Sequence, residues 1–549
     1  MSTAAAATIH RLGDRALIVD VPDLESALAL HSVLESERTE GIDDLVPAAR
    51  TVAVLFDPPR KSADAARTWL ERAMERSASA RGSGSGDEQD AGPPGHPANG
   101  ADAIAIDVVY DGPDLDGVAA LVGVSTGELV SRHTAATWRV AFNGFAPGFG
   151  YLVTDDDWFD VPRRSSPRTE VPAGSVGLAG AFSGAYPRRG PGGWQLIGRT
   201  DAPLWRPRDS RPALLTPGAT VRFRAVDALA TEPRTDSAES QPAQASSSDG
   251  PGSAAITVLK SGPLLLVEDL GRPGGASIGA GRSGVLDRAA LTLGNRLVGN
   301  DEGAAGLEVL LQAALRFEQA TWFAVTGARG ALSLNGHPIE PDVAVRASAG
   351  DVLRLGYAER GVRYVVALRG GVAVARELGS ASTDIGAGIG RPPLSDGDPI
   401  VLGGAASREI PAVDALTVWP PPQDEVDVHV VAGPRQDWFS PASIDRFYDT
   451  GWELTPESNR VGARLRSSAG EALERSDDHA LPAELPSEPM VPGAIQVPPS
   501  GQPTVLLADA PVTGGYPVIA VVADADLDLF AQLRPGQRVR FRHARGIPA

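Results

Sequence analysis

Three loops rich in glycine, proline and arginine carry the residue types best suited to binding a small anion. They occupy residues 142–152, 162–175 and 269–287, and the first, FNGFAPGFGYL, also brings several aromatic rings together. A guanidinium in a fixed geometry binds a carboxylate or a phosphate through two parallel hydrogen bonds, and glycine lets the backbone approach a ligand closely. The loops therefore predict an anionic small-molecule ligand, with solvated surface arginines as the plainer alternative.

The third loop has a second means of binding an anion. Helical spacing begins near Val285, directly after Ser283 and Gly284. If one of these two residues caps the helix, its free backbone N–H groups and the helix dipole attract negative charge to the same place.

Two glycine motifs in this stretch do not have the context that their chemistry needs. Residues 275–279 match the G-x-S-x-G pattern of a nucleophilic serine, and residues 279–284 match the nucleotide-binding pattern G-x-G-x-x-G. The first requires a strand before it and a helix directly after it, and the second requires a β-α-β unit. In a chain with 62 glycines, we interpret both matches as chance.

The lysines and histidines exclude further classes of site. Lys61 and Lys260 are the only lysines, and neither follows a Walker A pattern or adjoins a methionine, so the chain has no lysine placed to hold nucleotide phosphates or biotin. The eight histidines form no i, i+2 or i, i+4 pair, which argues against a local metal cluster. We expect His133 to be an ordinary residue at the end of a helix.

A small N-terminal module and a long β-rich region must position the loops. Apolar spacing predicts the elements of the module as strands and helices, namely strands at 16–21, 51–56 and 104–110 and helices at 24–37 and 63–76. Ser125 and Glu128 then predict a capped helix that reaches about His133. Beyond Trp138, short β-branched runs separated by glycine and proline are typical of barrels or sandwiches.

The β-rich region also repeats itself. The segments VPAG, GGWQLI and PGATVRF of residues 171–223 recur in the same order as VPGA, GGYPVI and PGQRVRF of residues 491–541. Chance similarity among glycine and proline turns is the alternative, but the common order favours two related β domains with a site at their junction.

Composition excludes several functions. The 549 residues allow three or four domains at about 150 residues each. The 50 basic and 69 acidic residues give a formal charge of −19, which argues against binding nucleic acid or an anionic membrane. The chain has no cysteine, so disulfides and thiolate chemistry are excluded. It shows no transmembrane run and no signal peptide, and we expect a cytoplasmic location.

The loop motifs resemble two related families. FNGFAPGFGYL, VPRRSSPRTEVPAGSVGLAG and GPGGWQLIGRT are similar to the allophanate hydrolase subunit 1 family (carboxyltransferase subdomains C and D), over residues 8–225. VEDLGRPGGASIGAGRSGVLDR, LGSASTDIGAGIGR, GPRQDWF and VPGAIQVPPSGQPTVLLADAPVTGGYPVIA resemble the subunit 2 family (subdomains A and B), over residues 256–545.

The resemblance implies a mostly β fold with α+β parts, in which two cyclophilin-like β-barrel domains in tandem follow a small N-terminal α/β domain. The predicted divisions are the N-terminal domain at 1–112 with a low-complexity linker at 77–102, a subunit 1-type barrel at 113–230, a second linker at 231–255, and a subunit 2-type barrel region at 256–549. The ligand is expected in the groove between the barrels.

Proteins of these families are usually the B and C subunits of bacterial ATP-dependent 5-oxoprolinase. The resemblance therefore implies a fused component of an amidohydrolase that cleaves the cyclic amide 5-oxo-L-proline to L-glutamate together with a separate A subunit. It implies ATP with Mg²⁺ as co-substrate, no covalently bound biotin, and a small anionic or amide substrate. No nucleic-acid or membrane partner is expected, and a homo-oligomer is left open. The alternatives are a biotin-dependent carboxyltransferase component that acts on urea or a related amide, and a regulatory binding protein similar to a kinase inhibitor.

This chemistry needs an anion clamp, hydrogen-bond donors for an amide, and an acid or base. The residues predicted to bind substrate are Arg164, Arg168, Arg272, Arg282, Ser283, Asn143, Phe145 and Gln195. The residues predicted to be catalytic, through carbonyl contact, metal binding or proton transfer, are Ser175, Asp287 and Asp384. For each aspartate, a helix cap or an arginine partner is an equal alternative. No residue is assigned to the nucleotide, and no metal-ligand set is predicted.

Overall fold

The computed structural model describes residues 7–82, 103–230 and 254–544, except 157, 165, 167, 405–407, 412–423, 468 and 481–484. These residues form four units, which we call the N-terminal module (7–82), the first barrel (103–226), the sandwich (254–404) and the second barrel (424–544). The fold is mostly β, as predicted.

The N-terminal module is an antiparallel sheet covered by two helices. Its strands, in the order β1-β2-β4-β3, are β1 (Thr8–Arg11), β2 (Ala16–Asp20), β3 (Ile42–Pro47) and β4 (Thr51–Phe56). Helix α1 (Leu24–Ser36) begins at Asp23, whose carboxylate accepts a hydrogen bond from Ser26 N. Helix α2 (Ala63–Gly82) is longer than predicted and includes the first residues of the expected linker at 77–102. The rest of that linker lies outside the described residues.

The first barrel unit has nine strands, seven of which form the barrel itself, and two helices. They are β5 (Ile104–Val108), α3 (Leu115–Leu121), α4 (Thr126–Ala135), β6 (Trp138–Asn143), β7 (Gly150–Val153), β8 (Arg168–Val171), β9 (Ser175–Ala179), β10 (Phe182–Ala185), β11 (Gly190–Gly192), β12 (Gln195–Arg199) and β13 (Thr220–Ala225), with β8 and β11 forming a separate ribbon. The barrel order is β5-β13-β6-β7-β10-β9-β12, and backbone hydrogen bonds between Val109 and Arg199 join its two ends. Strand β5 pairs in parallel with β13, so it belongs to this barrel and not to the N-terminal domain in which the sequence placed it.

The helix predicted from Ser125 and Glu128 is confirmed, since the Ser125 hydroxyl accepts a hydrogen bond from Glu128 N at 3.2 Å. His133 near its end is more than a surface residue. Its imidazole is fully buried, forms hydrogen bonds with the Tyr110 and Ser183 hydroxyls at 2.7 and 2.8 Å, and stacks on Phe223. Burial lowers its pKa to about 3.

The sandwich consists of two sheets that share one apolar core. Its elements are β14 (Ile256–Lys260), β15 (Leu264–Glu268), α5 (Arg288–Leu297), β16 (Gly306–Leu310), β17 (Ala313–Phe317), β18 (Thr321–Arg329), β19 (Leu332–Leu334), β20 (His337–Pro338), β21 (Val345–Ala347), β22 (Val352–Leu355), β23 (Arg360–Leu368) and β24 (Pro399–Ile400). One sheet has the order β20-β19-β22-β17-β14-β24 and the other β15-β16-β23-β18-β21. The sequence did not separate this unit from the barrel that follows it.

The predicted start of helix α5 near Val285 is wrong. Ser283 and Gly284 have φ angles of 51° and 103°, which a right-handed helix cannot accept at its first turn. The helix begins at Arg288, and the carboxylate of Asp287 caps it by accepting a hydrogen bond from Ala290 N at 2.9 Å. The carboxylate of Asp287 therefore occupies the N-terminus of the helix, where the sequence predicted free N–H groups that could bind an anion.

The second barrel repeats the first. Its elements are β25 (Glu425–Ala432), α6 (Pro441–Asp449), β26 (Trp452–Leu454), β27 (Gly462–Ser467), β28 (Glu488–Pro489), β29 (Ala494–Gln496), β30 (Thr504–Leu506), β31 (Thr513–Gly514), β32 (Val518–Val522), α7 (Leu527–Phe530) and β33 (Arg538–His543). The closed order β25-β33-β26-β27-β30-β29-β32 matches that of the first barrel strand by strand. The internal repeat and the prediction of tandem cyclophilin-like barrels are thereby confirmed.

The N-terminal module packs on the second barrel as well as on the first. Arg435 bridges the two units, because its Nη1 lies 3.0 Å from Asp20 Oδ2 of β2 while its Nε donates to Glu488 Oε1 at 2.8 Å. Burial alone would raise the pKa of Asp20, but His10 and Arg435 together hold it at about 2. This ion pair fixes the module across the joint between the two halves of the chain.

Candidate functional site

A cavity of about 130 Å³ lies where the N-terminal module, the sandwich and the second barrel meet. It is not in the groove between the two barrels, where the sequence placed the site. The two barrels touch at this loop, because Phe145 N donates to Thr513 Oγ1 at 2.8 Å and a Cβ on Gly144 would overlap the Thr513 side chain. The FNGFAPGFGYL loop therefore acts as a packing contact, and its Phe145 lies in the left-handed region at φ 60°.

The cavity has one apolar side and one charged side. Apolar side chains from all three units line it, among them Leu12, Leu55, Phe56, Ala276, Met490 and Val512. Its size is close to that of an engineered cavity of roughly 150 Å³ that accepts benzene and below the roughly 300–1,000 Å³ of sites for drug-sized ligands. The cavity therefore fits one small ring.

Two of the arginines in the cavity wall are already neutralised by aspartates. Arg15, in the turn between β1 and β2, lies 2.8 Å from Asp524, and Arg288 at the start of α5 lies 2.7 Å from Asp524 and 2.8 Å from Asp528. Burial alone would raise the pKa of Asp524, but the two guanidiniums hold it below its ordinary value. These groups form a fixed ionic wall.

Arg282 is different from its neighbours. It lines the cavity, and its guanidinium makes no hydrogen bond or ion pair with any residue that the structure describes. Burial and the nearby positive charge of Arg15 lower its pKa, although the carboxylate of Asp43 opposes this effect. Because Arg282 lines the cavity and has no hydrogen-bonded or ion-paired partner among the described residues, it is the cavity arginine best placed to bind an added anion.

Two neighbouring carboxylates of β3 face the same cavity. Asp44 accepts hydrogen bonds from Gly274 N and Ala276 N at 2.8 and 3.2 Å, and burial raises its pKa to about 6. Burial also raises the pKa of Asp43, which Arg282 partly opposes. Asp44 therefore ties the N-terminal module to the sandwich loop, whereas Asp43 lies close enough to Arg282 for the two charges to interact.

A buried ionic cluster lies behind the Arg282 loop. Its centre is Arg460, whose Nε and Nη2 bind the two oxygens of Asp509 at 2.8 and 3.0 Å and whose Nη1 donates to Glu308 Oε1 at 2.8 Å. All three side chains are at most 5% exposed. Burial raises the pKa of the neighbouring Glu268 well above its usual value, and Arg460 only partly offsets this.

Of the predicted site residues, only Arg282 and Ser283 line this cavity. Arg164 and Arg168 both bind Asp114 on the first barrel, at 3.0 and 2.8 Å, so each already has a carboxylate partner. This pairing shows why arginine-rich loops alone did not locate the site.

The other predicted side chains of the first barrel have structural partners or positions. Asn143 Nδ2 donates to Leu215 O at 2.8 Å, and Gln195 Nε2 donates to Pro162 O at 3.1 Å. Ser175 starts β9, and its backbone pairs with Tyr186 and Arg199. The structure does not bring these residues to the cavity.

The remaining predicted residues lie in the protein interior around the Arg282 loop. Arg272 is 1% exposed and donates through Nη2 to Ser382 O. Asp384 accepts a hydrogen bond from Ala387 N, and burial with the neighbouring Asp509 raises its pKa to about 6. Asp287 caps helix α5 and also accepts from Gln532 Nε2 at 2.6 Å. For Asp287, the helix-cap alternative is the one observed.

The sequence reasoning missed the charged residues that the N-terminal module and the second barrel contribute, namely Arg15, Asp43, Asp44 and Asp524. The pair Asp43-Asp44 on an otherwise apolar strand is a usable signal, because two adjacent acids on a half-buried sheet need a reason to be there. No local pattern links either acid to Arg282, which lies far away in the chain.

The described part of the chain contains no group of three or more histidine, aspartate or glutamate side chains arranged to hold a metal ion. Over the same residues, no helix is both long and apolar enough to span a membrane.

Each half of the chain matches a known protein family. The family model "Carboxyltransferase domain, subdomain C and D" matches residues 7–215, and "Carboxyltransferase domain, subdomain A and B" matches residues 278–543. The chain is 37% identical to the C subunit of 5-oxoprolinase from Escherichia coli K12 over 292 residues, 52% of this chain and 90% of that protein. It is 49% identical to the B subunit of 5-oxoprolinase from Escherichia coli O157:H7 over 123 residues, 22% of this chain and 56% of that protein.

A solved structure is similar along almost the whole length. The crystal structure of TTHA0988 is 31% identical and covers 96% of this chain and 99% of its own, with a TM-score of 0.80. The four units described above are therefore arranged as in a known protein.

Proposed function

The chain belongs to the carboxyltransferase-domain family, with subdomains C and D followed by A and B, and from this premise we propose that it supplies the B- and C-type parts of an ATP-dependent 5-oxoprolinase. In this role it acts with a separate A-type subunit to open 5-oxo-L-proline to L-glutamate. Relatives named as the C and B subunits of 5-oxoprolinase match 52% and 22% of the chain, and the two carboxyltransferase family models match separate regions of it, residues 278–543 and 7–215. That correspondence carries the proposal.

The geometry of the cavity supports the substrate class. 5-Oxoproline is a five-membered lactam with one carboxylate, and the cavity offers an apolar wall and one guanidinium without a partner among the described residues. We assign Arg282 to the carboxylate and Asp43 to proton transfer at the ring. Opening the lactam adds water across its amide C–N bond, and the nitrogen leaves as the amine of glutamate.

The nucleotide does not fit this cavity. A space of about 130 Å³ is too small for ATP, and Arg15 and Arg288 are already neutralised. The described residues also contain no group of three or more histidine, aspartate or glutamate side chains that could by themselves hold a metal ion. We therefore assign the binding of ATP to the A-type subunit and not to this cavity.

The test combines the purified full chain with an A-type subunit and measures ATP-dependent release of glutamate from 5-oxo-L-proline. We expect release only when both proteins are present, and Arg282→Gln should weaken binding of 5-oxoproline by roughly 10- to 100-fold, since a hydrogen bond to a charged group contributes about 1.5–3 kcal/mol. Arg224→Gln is the matched control, because Arg224 pairs with Asp107 on the exposed face of the first barrel. Absence of glutamate with both proteins present would contradict the proposal.

A second candidate function is that of a carboxyltransferase component acting on urea or a related amide. The observation in its favour is that both family models carry the carboxyltransferase description. The same preparation should then carboxylate urea in the presence of bicarbonate and a biotin carrier, and should not release glutamate.

A further inference from the structure

The backbone beside Arg282 has an unusual conformation. Ser283 and Gly284 both lie in the left-handed region, at φ 51° and 103°. Glycine adopts this conformation freely, but a serine there is uncommon and is held only when surrounding contacts demand it. The conformation reverses the chain directly after Arg282.

The second barrel supplies the shortest side-chain contact to this turn, and the sandwich adds Thr383 O at 3.4 Å from the Ser283 hydroxyl. The Ser283 hydroxyl donates to Asp509 Oδ1 at 2.7 Å, and Ser283 N donates to Ala508 O at 3.1 Å. Arg460 binds both oxygens of the same Asp509 and donates through Nη2 to Gly284 O at 2.7 Å. Asp509 and Arg460 thus form hydrogen bonds with two consecutive residues of the loop, Ser283 and Gly284.

The peptide group that follows Arg282 is also held at its carbonyl end. Arg272 N donates to Arg282 O at 2.7 Å, while the N–H of the same peptide group, that of Ser283, donates to Ala508 O. The peptide group between Arg282 and Ser283 is therefore held at both ends, while the Arg282 side chain lines the cavity. A small rotation of this backbone would move the guanidinium by several ångströms, because the side chain is long.

We propose that Ser283, Asp509 and Arg460 are positioning residues that aim the Arg282 guanidinium into the cavity. For the identity of the ligand, this inference rests on the proposed function. The competing accounts are that Ser283 only contributes to stability, or that its hydroxyl contacts the ligand directly.

A double-mutant cycle separates these accounts. Binding of 5-oxo-L-proline is measured by calorimetry for the wild-type chain, Ser283→Ala, Arg282→Gln and the double variant. We expect Ser283→Ala to weaken binding by about tenfold, because a tenfold change in affinity corresponds to the energy of about one hydrogen bond. The double variant should bind 5-oxo-L-proline as weakly as Arg282→Gln alone. Effects that multiply would overturn the proposal, because a residue acting through Arg282 has no effect once that side chain is removed.

A neutral ligand provides a second readout. 2-Pyrrolidinone has the same lactam ring without the carboxylate, so its binding should be unchanged in Ser283→Ala. Equal losses for both ligands would point to a general structural role or to a direct contact with the ring, and would contradict the proposal.

Two further variants control for stability. Ser283→Gly accepts the left-handed conformation without strain but lacks the hydroxyl, so it should lose affinity as Ser283→Ala does while melting at the same or a higher temperature than that variant. Ser183→Ala is the matched control, since Ser183 is also fully buried and hydrogen-bonded, to His133 in the first barrel. Its binding should equal that of the wild type.

Hydrogen exchange tests the inference without a ligand. Exchange in a peptide covering 280–286 should be at least several-fold faster in Ser283→Ala than in the wild type and unchanged in Ser183→Ala. Unchanged exchange in Ser283→Ala would refute the positioning role. If 5-oxoproline does not bind the wild-type chain, the proposed function fails, whereas these exchange rates still decide the inference.

Discussion

The two barrels share one strand order but use their charged residues in opposite ways. In the first barrel, Arg164 and Arg168 pair with Asp114 near the surface, with the arginine side chains 34% and 21% exposed. In the second, Arg460 is buried among carboxylates and grips the loop that carries Arg282. A duplicated scaffold can therefore keep its topology while the charged residues of its two copies make different contacts, near the surface in one copy and behind the loop that lines the cavity in the other.

The cores of the two barrels also differ at one equivalent position, where one has a histidine and the other a phenylalanine. Trp138 and Trp452 are both fully buried, and each donates its indole N–H to the carbonyl five residues earlier, at 3.0 Å. Those carbonyls belong to His133 in the first barrel and to Phe447 in the second. Each of these two rings stacks on a phenylalanine of the last strand, Phe223 or Phe541. The aromatic stack is common to the two copies, and in the first copy its ring, that of His133, also forms side-chain hydrogen bonds with Tyr110 and Ser183.

The largest expected effect contrasts the two kinds of arginine. Arg460→Ala leaves Asp509 and Glu308 buried without their partner and should lower the free energy of unfolding by about 3–5 kcal/mol. Arg164→Ala removes a partly exposed ion pair and should cost about 0–1 kcal/mol. Urea denaturation of both variants measures the difference. Similar losses would show that the barrels do not differ as described.

The next effect concerns the unequal cores. Replacing His133 by the phenylalanine of the other barrel leaves the buried Tyr110 and Ser183 hydroxyls without their shared partner, and should cost about 1–3 kcal/mol. The triple variant His133→Phe, Tyr110→Phe, Ser183→Ala should recover most of that loss, because no unpaired hydroxyl then remains. Denaturation curves that show no recovery would mean that packing, and not hydrogen bonding, distinguishes the two cores.

The pH dependence of the same pair sharpens the comparison. His133 has a pKa of about 3 in the folded chain, against an ordinary value of 6.5 for an exposed histidine, so below pH 6.5 the unfolded chain binds a proton that the folded chain refuses. The stability of the wild type relative to His133→Phe should therefore fall by about 1.4 kcal/mol for each pH unit below 6.5, until about pH 3. Unfolding measured at about pH 7.5, 6 and 5 checks this. A constant difference between the two proteins would contradict it.

The smallest effect should be equal in the two barrels. Ser125 caps α4 and Ser440 caps α6, in each case by accepting from the backbone N–H three residues later, at 3.2 Å. Ser125→Ala and Ser440→Ala should each cost about 1 kcal/mol. A much larger loss at Ser440 than at Ser125 would contradict this expectation and would show that the second barrel depends more strongly on its helix.

Features encoded within a few residues were predictable from the sequence. The cap at Ser125 and Glu128 lies within one helical turn, and the repeat is carried by whole turn segments such as VPAG and VPGA. In the N-terminal module, strands β2 and β4 and helices α1 and α2 follow from their apolar spacing, with α2 ending later than predicted, whereas β1 and β3 were not predicted. These signals are local, so tertiary contacts had little opportunity to override them.

Features that depend on distant contacts were not predictable. One sheet of the sandwich ends with β24, which pairs with β14. This pairing brings Ile400 opposite Ile256, which is far away in the sequence, and no local pattern encodes it. The helix start at Arg288 depends on left-handed backbone at Ser283, which long-range contacts with Asp509 support. Likewise, Arg272 and Arg164 resemble Arg282 in the sequence, and only the fold shows which of the three faces a cavity.

The position of the N-terminal module has a thermodynamic consequence. The module is joined in the chain to the first barrel, yet it builds the cavity together with the second, and the Arg435–Asp20 pair spans the joint. A molecule in the cavity touches both halves at once and therefore adds RT ln(1 + [L]/Kd) to their cohesion by mass action, about 2.7 kcal/mol at one hundred times Kd. Binding in the cavity and association of the N-terminal module with the second barrel therefore favour each other, so a ligand here would also stabilise the contact between the two halves of the chain.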